Sequence, residues 1–192
     1  MADPDVPPGW SHDPSAWSRR APLIGLALVG CGIAAYLSCY QLGLVLSVWD
    51  PFFGRGSEAI LTSWVSRSLP IPDASLGAAA YLLDAITGAI GDRGRWRTMP
   101  WMVLAFGLVV AGLVAAGFFL VLAQALLLHT GCTLCLASAA ISFATGWLAR
   151  DEVLASLRYL RRARGAGRDP GPALRDSAEL SGTSSRRPGR AR

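Results

Sequence analysis

Four long apolar segments constrain this chain more than any other feature of its sequence. They cover residues 22–48, 73–90, 101–128 and 132–148, and the first, third and fourth contain no charged residue. A helix needs about 20 mainly apolar residues to cross a bilayer, with a range of roughly 17 to 25, so each segment is long enough to span one. Only 16% of all residues are charged. We therefore predict an all-α fold, a four-helix transmembrane bundle.

The connections between these segments differ greatly in length. Only residues 128–131 separate the third segment from the fourth, so these two helices should be antiparallel neighbours. The first connection, residues 49–72, is longer and contains turn signals at Asp50-Pro51 and Gly54-Arg55-Gly56. Within it, residues 57–66 have the amphipathic pattern of a short helix. We therefore predict a partly helical extracytoplasmic loop between the first and second spans.

The distribution of arginine predicts the topology. Arginines cluster before the first span, between the second and third, and after the fourth. By the positive-inside rule, both termini of this multi-pass protein of the cell membrane are then cytoplasmic, and the loop and the 128–131 turn lie outside. We expect a disordered arm at residues 1–21, a membrane domain at 22–149 and a basic, disordered tail at 150–192.

The net charge of +5 belongs to the C-terminal tail. Eleven arginines and five acidic residues follow residue 149, so the rest of the chain is close to neutral. A basic tail suits an anionic lipid surface, and no zinc-finger or aromatic-rich pattern indicates nucleic-acid binding. We expect membrane lipid as a partner and no nucleic acid.

A Cys-x-x-Cys pair stands at the start of the fourth segment. On the first turn of a helix, Cys132 and Cys135 lie within disulfide reach, and unpaired N–H groups and the helix dipole favour a thiolate at Cys132. A thiolate beside a second thiol can pass two electrons, and the predicted outer side is oxidising. A structural or vestigial pair is the alternative. A zinc site would need a second Cys/His pair, so we expect no metal.

Several other polar residues admit two interpretations. Cys31 and Cys39 would lie about 12 Å apart on one helix, too far for a disulfide, and are best explained as packing residues. Asp73 suits a helix N-cap. Asp84 lies within a span, where a carboxylate is costly and indicates function unless it is protonated or reaches the membrane surface. His129 could stabilise a thiolate or move protons, or be an exposed turn residue.

Taken together, these features resemble the vitamin K epoxide reductase family. The resemblance covers roughly residues 23–149 and implies a four-helix membrane bundle whose Cys-x-x-Cys, at the outer start of the fourth span, faces a quinone pocket. By this resemblance, Cys135 would react with the quinone and Cys132 would exchange with an outer thiol. Three stretches carry it: Cys132-Thr-Leu-Cys135, Phe53-Gly-Arg-Gly-Ser57-Glu-Ala-Ile-Leu-Thr-Ser63 and Leu69-Pro-Ile-Pro-Asp73-Ala-Ser-Leu-Gly77-Ala-Ala-Ala-Tyr81.

The resemblance also implies a quinone pocket. Ser63 matches a Ser/Thr of the family loop that helps hold the quinone, and Asp73 matches a polar residue that can hydrogen-bond a quinone oxygen. With Tyr81 and His129 they form the predicted pocket. The implied co-substrate is a quinone of the menaquinone, ubiquinone or vitamin K type, and the implied protein partner is an extracytoplasmic thioredoxin-like thiol protein.

Three positions depart from the family pattern. Members usually carry two further loop cysteines, which relay electrons to the Cys-x-x-Cys, but the matching positions here are Trp49 and Ser57. A tyrosine often found four residues after the second cysteine is Ala139. Either an outside thiol attacks the Cys132–Cys135 disulfide directly, or the reaction has been lost.

The predicted activity is thiol–quinone oxidoreduction that supports disulfide formation in exported proteins. The DsbB type, also a four-helix quinone enzyme, fits less well because its Cys-x-x-Cys would be expected near an earlier span. The alternative from a different class is a non-catalytic membrane scaffold or partner subunit that keeps the fold without the electron relay.

Overall fold

A computed structural model describes residues 6–64, 66 and 70–165. These residues form helices and connecting turns, with no strand among them, so the all-α prediction is confirmed for this part of the chain. The helices are α1 (Trp17–Gln41), α2 (Gly56–Leu61), α3 (Asp73–Ala89), α4 (Arg95–Thr98), α5 (Pro100–Ala123) and α6 (Thr133–Gly165), and a π-helical turn, Gln124–Leu128, extends α5.

The long helices α1, α3, α5 and α6 pack against one another. α1 lies along α3 and α5 lies along α6, while α1 also contacts α6 and α3 contacts α5. Small residues permit close approach: a Cβ on Gly30 of α1 would lie 2.7 Å from the ring of Tyr81 in α3. Gly107 faces Val153 and Gly117 faces Ala139, so α5 and α6 run antiparallel, as the short connection predicted.

Two helical segments are long and apolar enough to cross a membrane. They are α1 and the continuous segment Pro100–Leu128. Apolar side chains such as Leu28 and Leu108 point away from the protein and are more than half exposed, which suits contact with lipid. α3 has 17 residues and contains Asp84, and the apolar part of α6 ends before Arg150. Membrane crossing by α3 and α6 therefore stays a prediction.

A buried ion-pair cluster joins the helices at the end remote from the cysteines. Arg95 donates to both carboxylate oxygens of Glu152, at 2.5 and 2.6 Å, and both side chains are buried. Arg20 and Arg95 also donate to the carbonyl oxygens of Gly88 and Ile90 at the end of α3. The two guanidinium groups thereby satisfy carbonyls that a helix end leaves without partners.

Helical or hydrogen-bonded structure lies on both sides of residues 22–149. α6 is 33 residues long and continues to Gly165, because its later turns also carry a buried face, where the Ser156 hydroxyl donates to the carbonyl oxygen of Trp96. Ahead of α1, the buried Ser15 donates to Glu152 at 2.6 Å. Residues 6–21 and 150–165 therefore contain helical and hydrogen-bonded structure, and the predicted division into an arm, a membrane domain and a tail stays a prediction. Residues 1–5 and 166–192 lie outside the described residues.

Candidate active site

The cysteine pair lies at the start of α6. Cys132, the residue before the helix, and Cys135, in its first turn, form a disulfide with 5.2 Å between their Cα atoms. The Sγ of Cys132 accepts the backbone N–H of Cys135 at 3.1 Å, and so satisfies one of the N–H groups that a helix start leaves unpaired. The prediction of disulfide reach is confirmed, and Cys31 and Cys39 are free thiols, as predicted.

An apolar shell surrounds the disulfide. Cys132 is 0% exposed and Cys135 is 7% exposed. Both belong to a buried cluster with Leu37 of α1, Val48 of the loop and Leu61 of α2. The loop between α1 and α3 therefore covers the pair, and a protein thiol can reach Cys132 only after this cover moves.

Asp50 links the loop between α1 and α3 to the start of α6. Its carboxylate accepts the Ser57 hydroxyl at 2.6 Å, the Ser57 N–H at 3.2 Å, the Thr133 N–H at 3.4 Å and the Thr133 hydroxyl. Burial raises the pKa of the Asp50 carboxyl, but hydrogen bonds from Ser57, Thr133 and Phe53 outweigh burial and hold that pKa well below its ordinary range. We call Asp50, Ser57 and Thr133 the Asp50 clamp. It keeps an anion beside Cys132.

The loop packs closely against the turn before α6. A Cβ on Gly56 would overlap the carbonyl oxygen of Gly131, and a Cβ on Gly131 would lie 2.5 Å from the ring of Phe53. A side chain at either glycine would force the two segments apart. Glycine at both positions lets the loop lie directly on the residue before Cys132.

A cavity of about 580 Å³ adjoins the cysteine turn, and we call it the turn cavity. Gln124 lines it and is only 4% exposed. The Oε1 of Gln124 accepts the backbone N–H of Cys132 at 2.8 Å, while its Nε2 has no hydrogen-bond partner within the described part of the chain. A buried amide without an acceptor costs free energy, so an acceptor that reached this N–H₂ group would be stabilising. Other wall residues are Phe53, Val121, His129, Gly131 and Leu136.

The end of α5 shapes this cavity. Gln124–Leu128 is π-helical, and His129 follows with φ of 48°, in the left-handed region. π-helical turns are frequent at functional sites. Here the turn places Gln124 against Cys132 and leaves His129 exposed on the cavity wall.

A second cavity, of about 490 Å³, lies between the end of α1, α2 and the segment before α3. We call it the loop cavity. Gln41 donates to Asp73 at 2.5 Å and to Ser66 at 2.7 Å, and Ser66 donates to the same Asp73 oxygen at 2.7 Å. Ser63 accepts the backbone N–H of Ser66 at 3.4 Å. The polar groups on this side are therefore largely occupied by one another.

A family comparison bears directly on this site, because the sequence profile described as the Vitamin K epoxide reductase family matches residues 21–150. The chain belongs to the vitamin K epoxide reductase family. The match includes the disulfide, the Asp50 clamp and both cavities. Membership supports, in general terms, a thiol–quinone oxidoreductase type of function and a membrane location. A comparison with individually curated proteins gave no significant match.

The positions that depart from the usual vitamin K epoxide reductase pattern have defined surroundings. Ser57, at one expected cysteine position, is fully buried and bonded to Asp50. Trp49, at the other, is exposed and donates its backbone N–H to the Tyr36 hydroxyl at 3.2 Å. Ala139 is buried on α6. The loop is thus held by hydrogen bonds at the position where a relay cysteine is expected.

The four predicted quinone-pocket residues do not meet at one place. Ser63 and Asp73 are linked through Ser66 beside the loop cavity, whereas His129 lines the turn cavity. Tyr81 borders neither cavity. Among the residues that the structure describes, no group of three or more His, Cys, Asp or Glu side chains could hold a metal ion.

Tyr81 and Asp84 lie within the helix packing. The Tyr81 hydroxyl donates to the carbonyl oxygen of Ser138 at 2.7 Å and shares a hydrogen bond with the Ser142 hydroxyl, also at 2.7 Å. Asp84, one turn further along α3, is 0% exposed, and neither carboxylate oxygen has a partner among the described residues. Tyr81 therefore links α3 to α6, and Asp84 is a buried polar group that this packing leaves unsatisfied.

Sequence reasoning missed Gln124 and the role of Asp50. Gln124 is the only amide, hydroxyl or charged side chain in residues 101–128, and an isolated polar group in an apolar helix is a signal that could have found it. Asp50 was interpreted as a turn residue because it precedes Pro51. Its partner Thr133 lies 83 positions later, so no local pattern connects the two.

Proposed function

We propose that this protein is a membrane thiol–quinone oxidoreductase, resembling vitamin K epoxide reductase, that supports disulfide formation in exported proteins. Cys132 and Cys135 pass electrons from thiols to a quinone of the menaquinone, ubiquinone or vitamin K type. The observation that carries the proposal is the disulfide at a helix start, beside a cavity with an unpaired donor, in a chain of this family.

The proposed arrangement in the membrane is a four-span bundle with both termini in the cytoplasm. The arginines near the start of α1, around α4 and after the apolar part of α6 lie at one end, and the disulfide lies at the other. The positive-inside rule favours the arginine end as cytoplasmic. The cysteine pair then faces the extracytoplasmic side, where it can meet exported proteins.

The first half-reaction takes electrons from a thiol protein, which we propose to be thioredoxin-like. Its thiolate attacks Cys132, the disulfide breaks, a mixed disulfide forms at Cys132, and Cys135 leaves as a thiolate. The partner's second thiol then attacks the mixed disulfide, so the partner departs oxidised and the pair is left as a dithiol. Because Cys132 is fully buried, this attack requires the loop to separate from the turn.

The second half-reaction returns the pair to the disulfide. The Cys135 thiolate passes electrons to the quinone, the bond between Cys132 and Cys135 re-forms, and two electrons and two protons leave on the quinol. The two protons that the thiols release reach the quinol through water or through His129, on the cavity wall. The overall reaction therefore oxidises two thiols for each quinone reduced.

The turn cavity fits a quinone better than the loop cavity does. Val121, Leu136 and Phe53 provide apolar walls, and Gln124 Nε2 provides a donor for a carbonyl oxygen, the combination typical of small-molecule sites.

Three predicted pocket residues would need to exchange partners to contact a quinone. Ser63, Asp73 and Tyr81 already hydrogen-bond to protein groups. We propose that they support the walls of the site, with direct contact only where such an exchange occurs.

The decisive experiment is quinone-dependent oxidation of a dithiol by the full-length protein in lipid nanodiscs. Cys132→Ala and Cys135→Ala should each abolish turnover, because the S–S bond cannot re-form. Cys39→Ala, which removes a free thiol, is the matched control and should keep activity. Unchanged turnover in the two site variants would contradict the proposal.

A scaffold is the second candidate function, and the buried Ser57 in place of a relay cysteine favours it. A scaffold should bind its partner equally well when Cys132 and Cys135 are both replaced by alanine. Quinone-dependent turnover by the wild-type protein would exclude a purely structural role.

A further inference from the structure

Two groups that can carry negative charge meet at the start of α6. The Cys132 sulfur accepts the N–H of Cys135, and Asp50 accepts the N–H and the hydroxyl of Thr133. The start of a helix favours an anion through its unpaired N–H groups and its dipole. On reduction, a Cys132 thiolate would therefore share this end of the helix with the Asp50 carboxylate.

Among the described residues, no cation is paired with the Asp50 carboxylate. The donors that the structure shows to Asp50 are all neutral hydroxyls and backbone N–H groups. Arg55, the nearest arginine in the loop sequence, is paired with Glu58 at 2.9 Å and is exposed. His129 is exposed on the turn. Neutral donors stabilise a carboxylate without removing its charge, so a full negative charge remains beside Cys132.

We propose that Asp50 is a positioning residue that makes the Cys132–Cys135 disulfide harder to reduce, by placing a negative charge where a Cys132 thiolate would form. Like charges disfavour each other's ionised forms, so the carboxylate opposes the stabilisation of the thiolate by the helix start. A less stabilised reduced form shifts the couple towards the disulfide.

The consequence for the reaction is a stronger reductant. The couple consists of the S–S bond, two electrons and two protons on one side and two thiols on the other. If Asp50 disfavours the reduced side, the dithiol gives its electrons more readily to an acceptor such as a quinone. This inference rests on the proposed use of the pair as a redox couple, and it concerns the potential of that couple rather than the identity of the acceptor.

The test is the midpoint of the couple in the full-length protein in nanodiscs. The protein is equilibrated with mixtures of reduced and oxidised dithiothreitol, in which reduction of the protein disulfide oxidises the reagent to its cyclic disulfide. Alkylation and peptide mass spectrometry then score Cys132 and Cys135 separately from the free Cys31 and Cys39. Asp50→Asn keeps an oxygen acceptor of the same shape but removes the charge. We expect its equilibrium constant for reduction to rise about tenfold, or ~30 mV for a two-electron couple.

Ser57→Ala is the matched control, because it removes a hydrogen bond from the clamp but keeps the Asp50 charge. Its midpoint should equal that of the wild type or be more reducing. The inference would be overturned if the equilibrium constant for reduction of the disulfide rose less than about threefold in Asp50→Asn, or rose equally in Ser57→Ala. If Asp50→Asn does not fold, Asp50→Ser is a second neutral variant judged by the same criteria. The measurement uses no quinone, so failure of the quinone assay and failure of this inference are distinguishable.

Discussion

The side-chain oxygen of Gln124 accepts the backbone N–H of Cys132 at 2.8 Å and so joins the end of α5 to the residue before α6. In the described structure, the Nε2 of the same amide has no acceptor, and the residue lines the turn cavity. One side chain therefore both holds Cys132 in place and leaves an unpaired amide N–H₂ group beside the cavity.

Replacing Gln124 by leucine should weaken quinone binding. The loss of a buried hydrogen bond of about 1–2 kcal/mol corresponds to a quinone KM raised roughly five- to thirtyfold, with a smaller change in the KM of the thiol substrate. Steady-state rates at varied quinone concentration in nanodiscs measure this. Gln41→Leu is the matched control, because it removes the corresponding amide from the loop cavity. A raised quinone KM in that variant alone would place the quinone in the loop cavity instead.

Gly56→Ala should open the cover over the disulfide. The added Cβ overlaps the carbonyl oxygen of Gly131, and overpacking of this kind costs about 1–3 kcal/mol. We expect a water-soluble phosphine to reduce the Cys132–Cys135 bond several times faster than in the wild type, as followed by alkylation. Gly32→Ala is the control, since a Cβ at Gly32 would meet none of the described residues within 4 Å. Equal reduction rates in the two variants would show that Gly56 does not control access.

Acid should loosen the Asp50 clamp. Because the pKa of Asp50 is lowered in the folded protein, the carboxylate contributes stability that is complete above its ordinary pKa of about 3.9 and is lost as the pH falls towards the folded value. Reduction by a phosphine should therefore accelerate below about pH 4 in the wild type. In Asp50→Asn this acid acceleration should be absent. Identical pH profiles for the two proteins would mean that another group controls the loop.

Asp84→Leu should raise the stability of the protein. Both carboxylate oxygens are buried without a partner in the described chain, and removal of an unsatisfied buried group stabilises by about 1–3 kcal/mol. Thermal unfolding in detergent measures the change. Asp73→Leu on the same helix is the matched comparison and should destabilise, because Asp73 accepts hydrogen bonds from Gln41 and Ser66. A loss of stability in Asp84→Leu would indicate a bound partner at this carboxylate.

The sequence predicted those features that depend on neighbouring residues. The apolar run 101–128 coincides closely with α5 and its π-helical turn, and the spacing of Cys132 and Cys135 alone placed both sulfurs on one helical turn. The first helix was predicted less well: α1 ends at Gln41, seven residues before the predicted end at residue 48. Gly43 follows with φ of 75°, in the left-handed region. The helix therefore ends at a glycine turn, although the apolar sequence continues to residue 48.

Only the tertiary structure decided which distant polar groups meet. Asp50 and Thr133 are 83 positions apart, and Arg95 and Glu152 are 57 apart, yet these contacts hold the loop over the disulfide and the helices together at the opposite end. Hydropathy and helical periodicity describe each segment separately. Contacts between segments depend on how several helices pack together, through many individually weak interactions and a few close glycine approaches. The sequence by itself therefore determined the apolar helices and the close pair Cys132 and Cys135, and the packing of those helices determined what surrounds the pair.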